Sequence, residues 1–321
     1  MSIIIPCHNT EPWIAECIES CFAQTYSALE IIVIDDGSTD GSLAIIEQYR
    51  ARIRYETGSN KGSCAARNRG IELARGSYIL FLDSDDVLLP TTIEVLFRAL
   101  QHQENAIAVC PWYPYCWEAG EWVAHPPTFT LQQVSADEIR NELSGRFWMP
   151  PGAMLWPRAV VERNGAWDQT TAPNDDGDFR IRALLNNVRL LRISDGGLLY
   201  RIHSNSLSRA RSEQAYAGRF RALEKIEHSL REQERLSAYV IDLSRAYHRL
   251  ASGGFQQNPQ IARRCLNRAR VLGGWRSVNG SWFHVVLCLS IGLERKTTLA
   301  TALAAHGVAR RRRTAAQQPA E

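Results

Sequence analysis

The chain has 321 residues, long for a single compact domain, so one large and one small unit are expected. Hydrophobic residues make up 45% and charged residues 22%, an ordinary soluble balance, and no stretch reaches the ~18 apolar residues that span a bilayer. The net charge of +3 divides into 17 Lys+Arg against 26 Asp+Glu up to Asn205, or −9, and 20 against 8 from Ser206 onward, or +12.

Ile3-Ile4-Ile5 is a short apolar run stopped by Pro6, which predicts a buried strand. Pro12 suits a first helical turn, and Trp13, Ile14, Cys17, Ile18, Cys21 and Phe22 follow at helical spacing. Glu30 to Ile34 predicts a second buried strand, stopped by Asp35-Asp36-Gly37-Ser38, and Asp40 can cap a helix whose apolar face is Leu43, Ile46 and Tyr49. A third strand is expected near Ile53 to Tyr55 and a helix from Ala65 to Ala74, ended by Gly76. Tyr78-Ile79-Leu80-Phe81-Leu82 is another apolar strand, and it runs into Asp83-Ser84-Asp85-Asp86.

Strands alternating with helices predict a mainly parallel sheet covered on both faces. Ligands of such sheets bind at the carboxyl ends of the strands, which here carry His8-Asn9, Asp35-Asp36 and the Asp83 to Asp86 run. From Ala106 to Pro151 the chain turns irregular and aromatic, with Trp112, Tyr113, Tyr115, Trp117, Trp122, Phe147 and Trp148. Sugar stacking is open to such residues, but an aromatic core or a second sheet is the better expectation for most of them. Beyond Ser206 the pattern is helical: one stretch from Gln214 to Tyr247, an end at Gly253-Gly254, and another helix from Asn258-Pro259 to Gly273-Gly274. One or two helical hairpins, like a single TPR-type unit, are expected, without a fixed repeat. Arg310 to Glu321 reads as a basic, disordered tail. The eight cysteines form no C-x-x-C pair, and Met1 to Pro6 has no basic leader, so reduced thiols in the cytoplasm and no signal peptide are expected.

Three acidic clusters carry the chemistry. Asp83 and Asp85, one residue apart at a strand end, can face one pocket, and hard divalent ions favour carboxylates together with substrate phosphates. Asp35-Asp36 could accept from a base or a ribose, or cap the next helix, a role that Thr39 or Asp40 fills better. Asn174-Asp175-Asp176-Gly177-Asp178 precedes a helical pattern from Phe179 to Leu185, where helix-dipole complementation is the competing reading.

Taken together these residues resemble glycosyltransferase family 2, which has the GT-A fold. The resemblance is carried by Ile3 to Asn9, Gln24-Thr25-Tyr26, Glu30 to Asp40, Asn60-Lys61-Gly62, Ala66-Arg67-Asn68 with Gly70, and Tyr78 to Asp86. It continues through Pro151-Gly152-Ala153, Gly165 to Asp168, Asp175-Asp176 and Tyr200 to His203, covering about residues 2–208. It implies an α/β GT-A domain over 1–208; by their own pattern a helical region over 209–309 and the tail 310–321 follow.

The resemblance further implies that Pro6, His8 and Asn9 wrap the nucleoside of a nucleotide-sugar donor. Asp36 would hold the base, Asp35 its surroundings, and Asn60, Arg67 and Asp83 would belong to the same nucleotide site. Asp85, with Asp83 and His203, would hold Mn²⁺ or Mg²⁺ on the diphosphate, and Asp176 would be the catalytic base. His8 stands where a Tyr is usual. Asp175-Asp176 replaces Glu-Asp, so Asp175 is the alternative base. The Q-x-x-R-W motif of processive members is absent; Ser206-Leu207-Ser208-Arg209 follows instead, which favours one sugar per event.

The implied activity is inverting transfer, with UDP the commonest nucleotide, to a saccharide or lipid-linked acceptor in bacterial surface-glycan or glycoconjugate synthesis. The basic region, with an amphipathic stretch from Arg276 to Lys296 that includes Trp282 and Phe283, leaves open a peripheral contact at the inner membrane face. No nucleic-acid motif accompanies the Arg residues. A non-catalytic nucleotide-sugar binder is the alternative. A Rossmann oxidoreductase would need G-x-G-x-x-G after the first strand, where Pro6-Cys7-His8-Asn9-Thr10 stands. A nucleotidyltransferase would need a Gly-rich basic loop there.

Overall fold

The computed structural model describes residues 1–127, 137–145, 148–172, 174–203, 212–254 and 258–273. The chain divides into two compact units, Met1–Ala210 and Arg211–Glu321.

The first unit begins with β1 (Ser2–Cys7), α1 (Ile14–Phe22), β2 (Glu30–Asp35), α2 (Ser42–Gln48), β3 (Arg54–Thr57), α3 (Ser63–Leu73) and β4 (Tyr78–Phe81). It continues with β5 (Val87–Leu88), α4 (Thr92–Leu100), β6 (Ala106–Val109), β7 (Trp112–Glu118), β8 (Glu121–Ala124) and α5 (Glu138–Ser144). A 3₁₀ turn at Pro151–Ala153 leads to β9 (Met154–Pro157), α6 (Arg158–Asn164), α7 (Asp175–Leu185), β10 (Arg189–Arg192) and β11 (Leu198–Ile202).

Seven strands form one sheet in the order β10-β6-β9-β4-β1-β2-β3. All of its pairings are parallel except those of β9, which runs antiparallel to β4 and β6. Four strands form a second sheet, β5-β11-β7-β8. The aromatic stretch that reads as irregular therefore contributes β6 to the main sheet and a hairpin to the second one.

Ile3, Ile4, Ile5, Ile32, Val33, Ile79, Leu80 and Phe81 are buried, as near-continuous apolar strands of a two-sided parallel sheet should be. Pro6 does not end β1, which runs on to Cys7 in register with Asp35. Alternate residues of a strand address opposite neighbours. Ile4 faces β4, accepting from Leu82 N–H at 2.9 Å, so Pro6 faces that side too. The β4 ladder stops at the Ile4–Phe81 pair, so no donor is required of Pro6.

The second unit contains α8 (Glu213–Glu232), α9 (Leu236–Gly254) and α10 (Pro259–Gly273), with α9 packed against both others. The helical stretch from Gln214 to Tyr247 is thus divided between two helices. Glu234 takes φ 56°, and its N–H closes on the Arg231 carbonyl at 3.0 Å. No Gly or Pro marks this break in the sequence. Buried Glu227 accepts from Tyr247 Oη at 3.1 Å and from Arg231 and Arg268. No helix among the described residues is long and apolar enough to cross a membrane. The amphipathic stretch 276–296, the tail 310–321, Phe147 and Ser206 to Arg209 lie outside the described residues.

Gly70 fixes the closeness of α3 to the sheet, because a Cβ there would lie 2.2 Å from Ile4 Cγ2. On an exposed helix Gly→Ala would stabilise by up to about 1 kcal/mol. Here the overpacking, typically about 1–3 kcal/mol, should prevail. Gly70→Ala should therefore lower the urea midpoint; a raised midpoint would show that α3 does not rest on β1 at this distance.

Candidate functional site

The register of the parallel strands brings the ends of β1, β2 and β4 to one edge. On the β1–β2 side, exposed His8 donates from Nδ1 to the Asp36 carbonyl at 3.0 Å. Its ring nitrogens also lie 3.0 and 3.3 Å from Asn60 Nδ2. Asn9 Oδ1 accepts from Thr39 N–H at 2.7 Å, and the Asn9 backbone sits at φ 53°.

Asp35 and Asp36 are both buried. Asp35 accepts from Ser38 N–H at 3.2 Å and from the Thr57 hydroxyl at 2.6 Å. Asp36 does not cap the helix that follows it. Its two oxygens accept from the N–H groups of Lys61 and Gly62, each at 2.7 Å, and so fix the entry to α3. His8, Asn9, Asp35, Asp36 and Asn60 thus form one connected patch, and Pro6 lies buried in β1 opposite Ile34, two residues before His8.

A second group centres on Arg67, which is buried. Its guanidinium donates to Asp83 at 2.6 Å and to Asp175 at 2.8 Å, and lies 4.5 Å above the Trp167 ring. Asp175 also accepts from Cys64 Sγ at 3.2 Å. Burial pushes the Asp83 carboxyl up in spite of Arg67, and the neighbouring Asp85 and Asp175 charges push the same way. Asp83 Oδ1 is the atom that faces Arg67.

Asp85 and His203 do meet, with Oδ2 and Nε2 2.8 Å apart. His203 is backed by Trp13, ring centroids 4.0 Å apart. The contact depends on Arg201, one residue from the end of β11. Arg201 N–H donates to Asp86 at 2.9 Å and its Nε donates to the Asp85 carbonyl at 2.7 Å. Its guanidinium sits over Tyr115 and Trp122, at 4.8 and 4.3 Å. Asp86 is fully buried, and burial with the Asp85 and Asp83 charges holds its carboxyl well above the usual range. A carboxylate beside an imidazole suits Mn²⁺ better than Mg²⁺, which prefers an all-oxygen shell.

The third acidic cluster lies inside α7 rather than before it, with Asp175, Asp176 and Asp178 all in the first turn. Helix-dipole complementation therefore applies to all three, yet Asp176 is raised to about 6. Burial is the main cause and the Asp175 charge adds to it, against Arg180, the Gly177 N–H and the Trp148 indole. Trp148 Nε1 donates to Asp176 Oδ2 at 2.8 Å, and its ring packs edge-on against Tyr200 at 4.6 Å. The sequence reading puts Trp13 on a helix face, Arg201 in the resembling Tyr200 to His203 segment and Trp148 among aromatics open to sugar stacking, but ties none of them to the acids. The one signal for Trp148 was its place in an aromatic run next to Pro150-Pro151-Gly152.

Residues 2–163 match the family described as Glycosyl transferase family 2. The chain belongs to glycosyltransferase family 2. Among curated relatives, the glycosyltransferase GlyG of Streptococcus pneumoniae is 30% identical over 227 residues, 68% of this chain and 75% of that protein. The uncharacterized glycosyltransferase EpsJ of Bacillus subtilis is 33% identical over 217 residues, 65% of this chain and 62% of that protein.

Solved structures share the family's GT-A fold. TarS 1-349 of S. aureus in complex with UDP-GlcNAc has a TM-score of 0.57 at 18% identity, over 86% of this chain and 90% of that one. The mannosyltransferase PcManGT of Pyrobaculum calidifontis, in complex with GDP-Man and Mn²⁺, has a TM-score of 0.56 at 17% identity, over 96% and 85%.

The indole hydrogen bond lowers the proton affinity of Asp176. Trp148→Phe keeps most of the ring and deletes the donor, so the Asp176 carboxyl should titrate above its present value of about 6. A carboxyl-carbon NMR titration reads this directly; an unchanged or lower value would show that the indole does not donate to Asp176.

Proposed function

We propose that this family 2 glycosyltransferase moves one sugar per event from a nucleoside diphosphate sugar, with UDP as the nucleotide, to a hydroxyl of a saccharide or lipid-linked acceptor, with inversion. The observation that carries the reading is the joining of two carboxylate sets at one sheet edge. Asp83 and Asp85 stand at the end of β4, and Arg67 ties Asp83 to Asp175, next to Asp176.

In this reading the His8, Asn9, Asp35, Asp36 and Asn60 patch receives the nucleoside. Asp85 and His203, with Asp83 beside them, would hold Mn²⁺ or Mg²⁺. When bound, that ion supplies positive charge to the departing diphosphate. As the sugar–phosphate bond breaks, the anomeric carbon becomes oxocarbenium-like. Asp176 takes the proton of the acceptor hydroxyl as its oxygen attacks from the opposite face, and one such displacement inverts the anomer.

A carboxyl near 6 is ionised at neutral pH yet a stronger proton acceptor than an ordinary aspartate. Arg67 occupies Asp175, which favours Asp176 for that work. The basic charge after Ser206 supports contact with anionic headgroups, each nearby cation contributing about 1 kcal/mol. In this reading the protein works in the cytoplasm at the inner membrane face, in bacterial surface-glycan synthesis.

Asp176→Asn should retain donor binding, read as thermal stabilisation by UDP with Mn²⁺, and lose transfer by about three orders of magnitude. In the parent, transfer should decline as pH falls through about 6, because protonation removes the base. Normal transfer by Asp176→Asn with loss in Asp175→Asn would move the base by one residue. Normal transfer by both would end the assignment.

Asp85→Ala should abolish transfer and the extra stabilisation that Mn²⁺ adds to UDP, while the unfolding midpoint without ligand stays close to the parent's. Full activity in EDTA, or in that variant, contradicts a metal at Asp85.

A further inference from the structure

We propose that the β7–β8 hairpin carries a separate zinc-class metal site made of Cys116, Glu118 and His125. Cys116 and Glu118 lie two residues apart on β7 and so project from one face of the sheet. Antiparallel pairing sets Tyr115 opposite Ala124 and Cys116 opposite Val123. One step further on, His125 lies opposite Pro114, and its N–H donates to the Pro114 carbonyl at 2.8 Å. Residues directly opposite share a face, so His125 joins Cys116 and Glu118.

The three side chains each bring one ligand atom within 4.8 Å of the other two, and His125 Nε2 already stands 2.8 Å from Glu118 Oε1. A tetrahedral zinc shell has ligand edges of about 3.3–3.8 Å, from its usual bond lengths. Small side-chain adjustments therefore close the set. The frame is fixed beforehand: Ala119 and Gly120, at φ 51° and 96°, make the tight two-residue turn that suits a twisted hairpin.

The donor set defines the ion. A thiolate and an imidazole select zinc and its neighbours over Mg²⁺, and three protein ligands leave the fourth position to water. Among the described cysteines, Cys116 alone is partly exposed; the others are buried. The site is also distinct from the Asp85–His203 pair. Tyr115 and Trp122, on the opposite face of the hairpin, pack on Arg201, while Cys116 registers with Ile202.

Anaerobic titration of the full chain with Co²⁺ tests the site, since a thiolate ligand gives a near-ultraviolet charge-transfer band and a tetrahedral ion gives strong visible bands. One equivalent should produce both, Zn²⁺ should displace it, and excess Mg²⁺ should not. Cys116→Ser should lose the near-ultraviolet band, and His125→Ala and Glu118→Gln should each weaken binding at least tenfold. Asp85→Ala should leave all of it unchanged. The proposal is overturned by the absence of a thiolate band, by its survival in Cys116→Ser, by its loss in Asp85→Ala, or by parent-like binding in both His125→Ala and Glu118→Gln.

Discussion

The candidate site rests on one buried cation. Parallel strands deliver carboxylates to one edge of a sheet, and the start of α7 adds more. Left alone, Asp83, Asp85 and Asp175 would repel one another in a setting that already disfavours charge. Arg67 answers this by donating to Asp83 and Asp175 from the buried side. A buried pair of this kind adds little net stability, because desolvating both partners offsets the attraction. Its worth is positional: removing one partner would strand the others at about 3–5 kcal/mol.

The surroundings of Arg67 are built to keep it there. Its guanidinium lies on Trp167, which stacks on Phe179 at 4.3 Å and meets Phe81 edge-on at 4.9 Å. Asn68 clamps the Trp167 backbone in both directions, donating to its carbonyl at 3.0 Å and accepting from its N–H at 2.8 Å. Gly70 lets the same helix settle on β1. The Ala66-Arg67-Asn68 and Gly70 segment thus ties the acids, the aromatic core and the central strand together within five residues. Asp176 sits one residue beyond this clamp, so it shares the burial and the Asp175 charge without sharing the guanidinium.

Much of this was legible in the sequence. Apolar β-branched runs ending in acids specify both the strands and the edge where the acids collect, since the pattern is local and repeated. Pairings that join distant segments were not legible. Nothing in the neighbourhood of Asp36 says that its carboxylate holds Lys61 and Gly62 N–H, 25 and 26 residues on. The indole of Trp148 looks like any aromatic of a second sheet until α7 places Asp176 against it. The break at Glu234 was hidden because a residue with a side chain takes a positive φ that glycine would have announced. Pro6 misled for the reverse reason: a strong local signal was overruled by a ladder that ends two residues earlier.

The second sheet shows how a small accessory element can set the chemistry of a large one. Its strand β11 carries Arg201, which grips the Asp85 carbonyl and Asp86 from within and reaches Glu16 at 2.5 Å. That grip makes the position of His203 a consequence of β11 pairing rather than of its own contacts alone. The sheet edge therefore has two supports of different kinds. Arg67 fixes Asp83 and Asp175 through charge, and Arg201 fixes Asp85 and His203 largely through backbone. The side chains of Asp85 and Asp176 lie outside both grips, which is where a site needs groups that can change partner during a reaction.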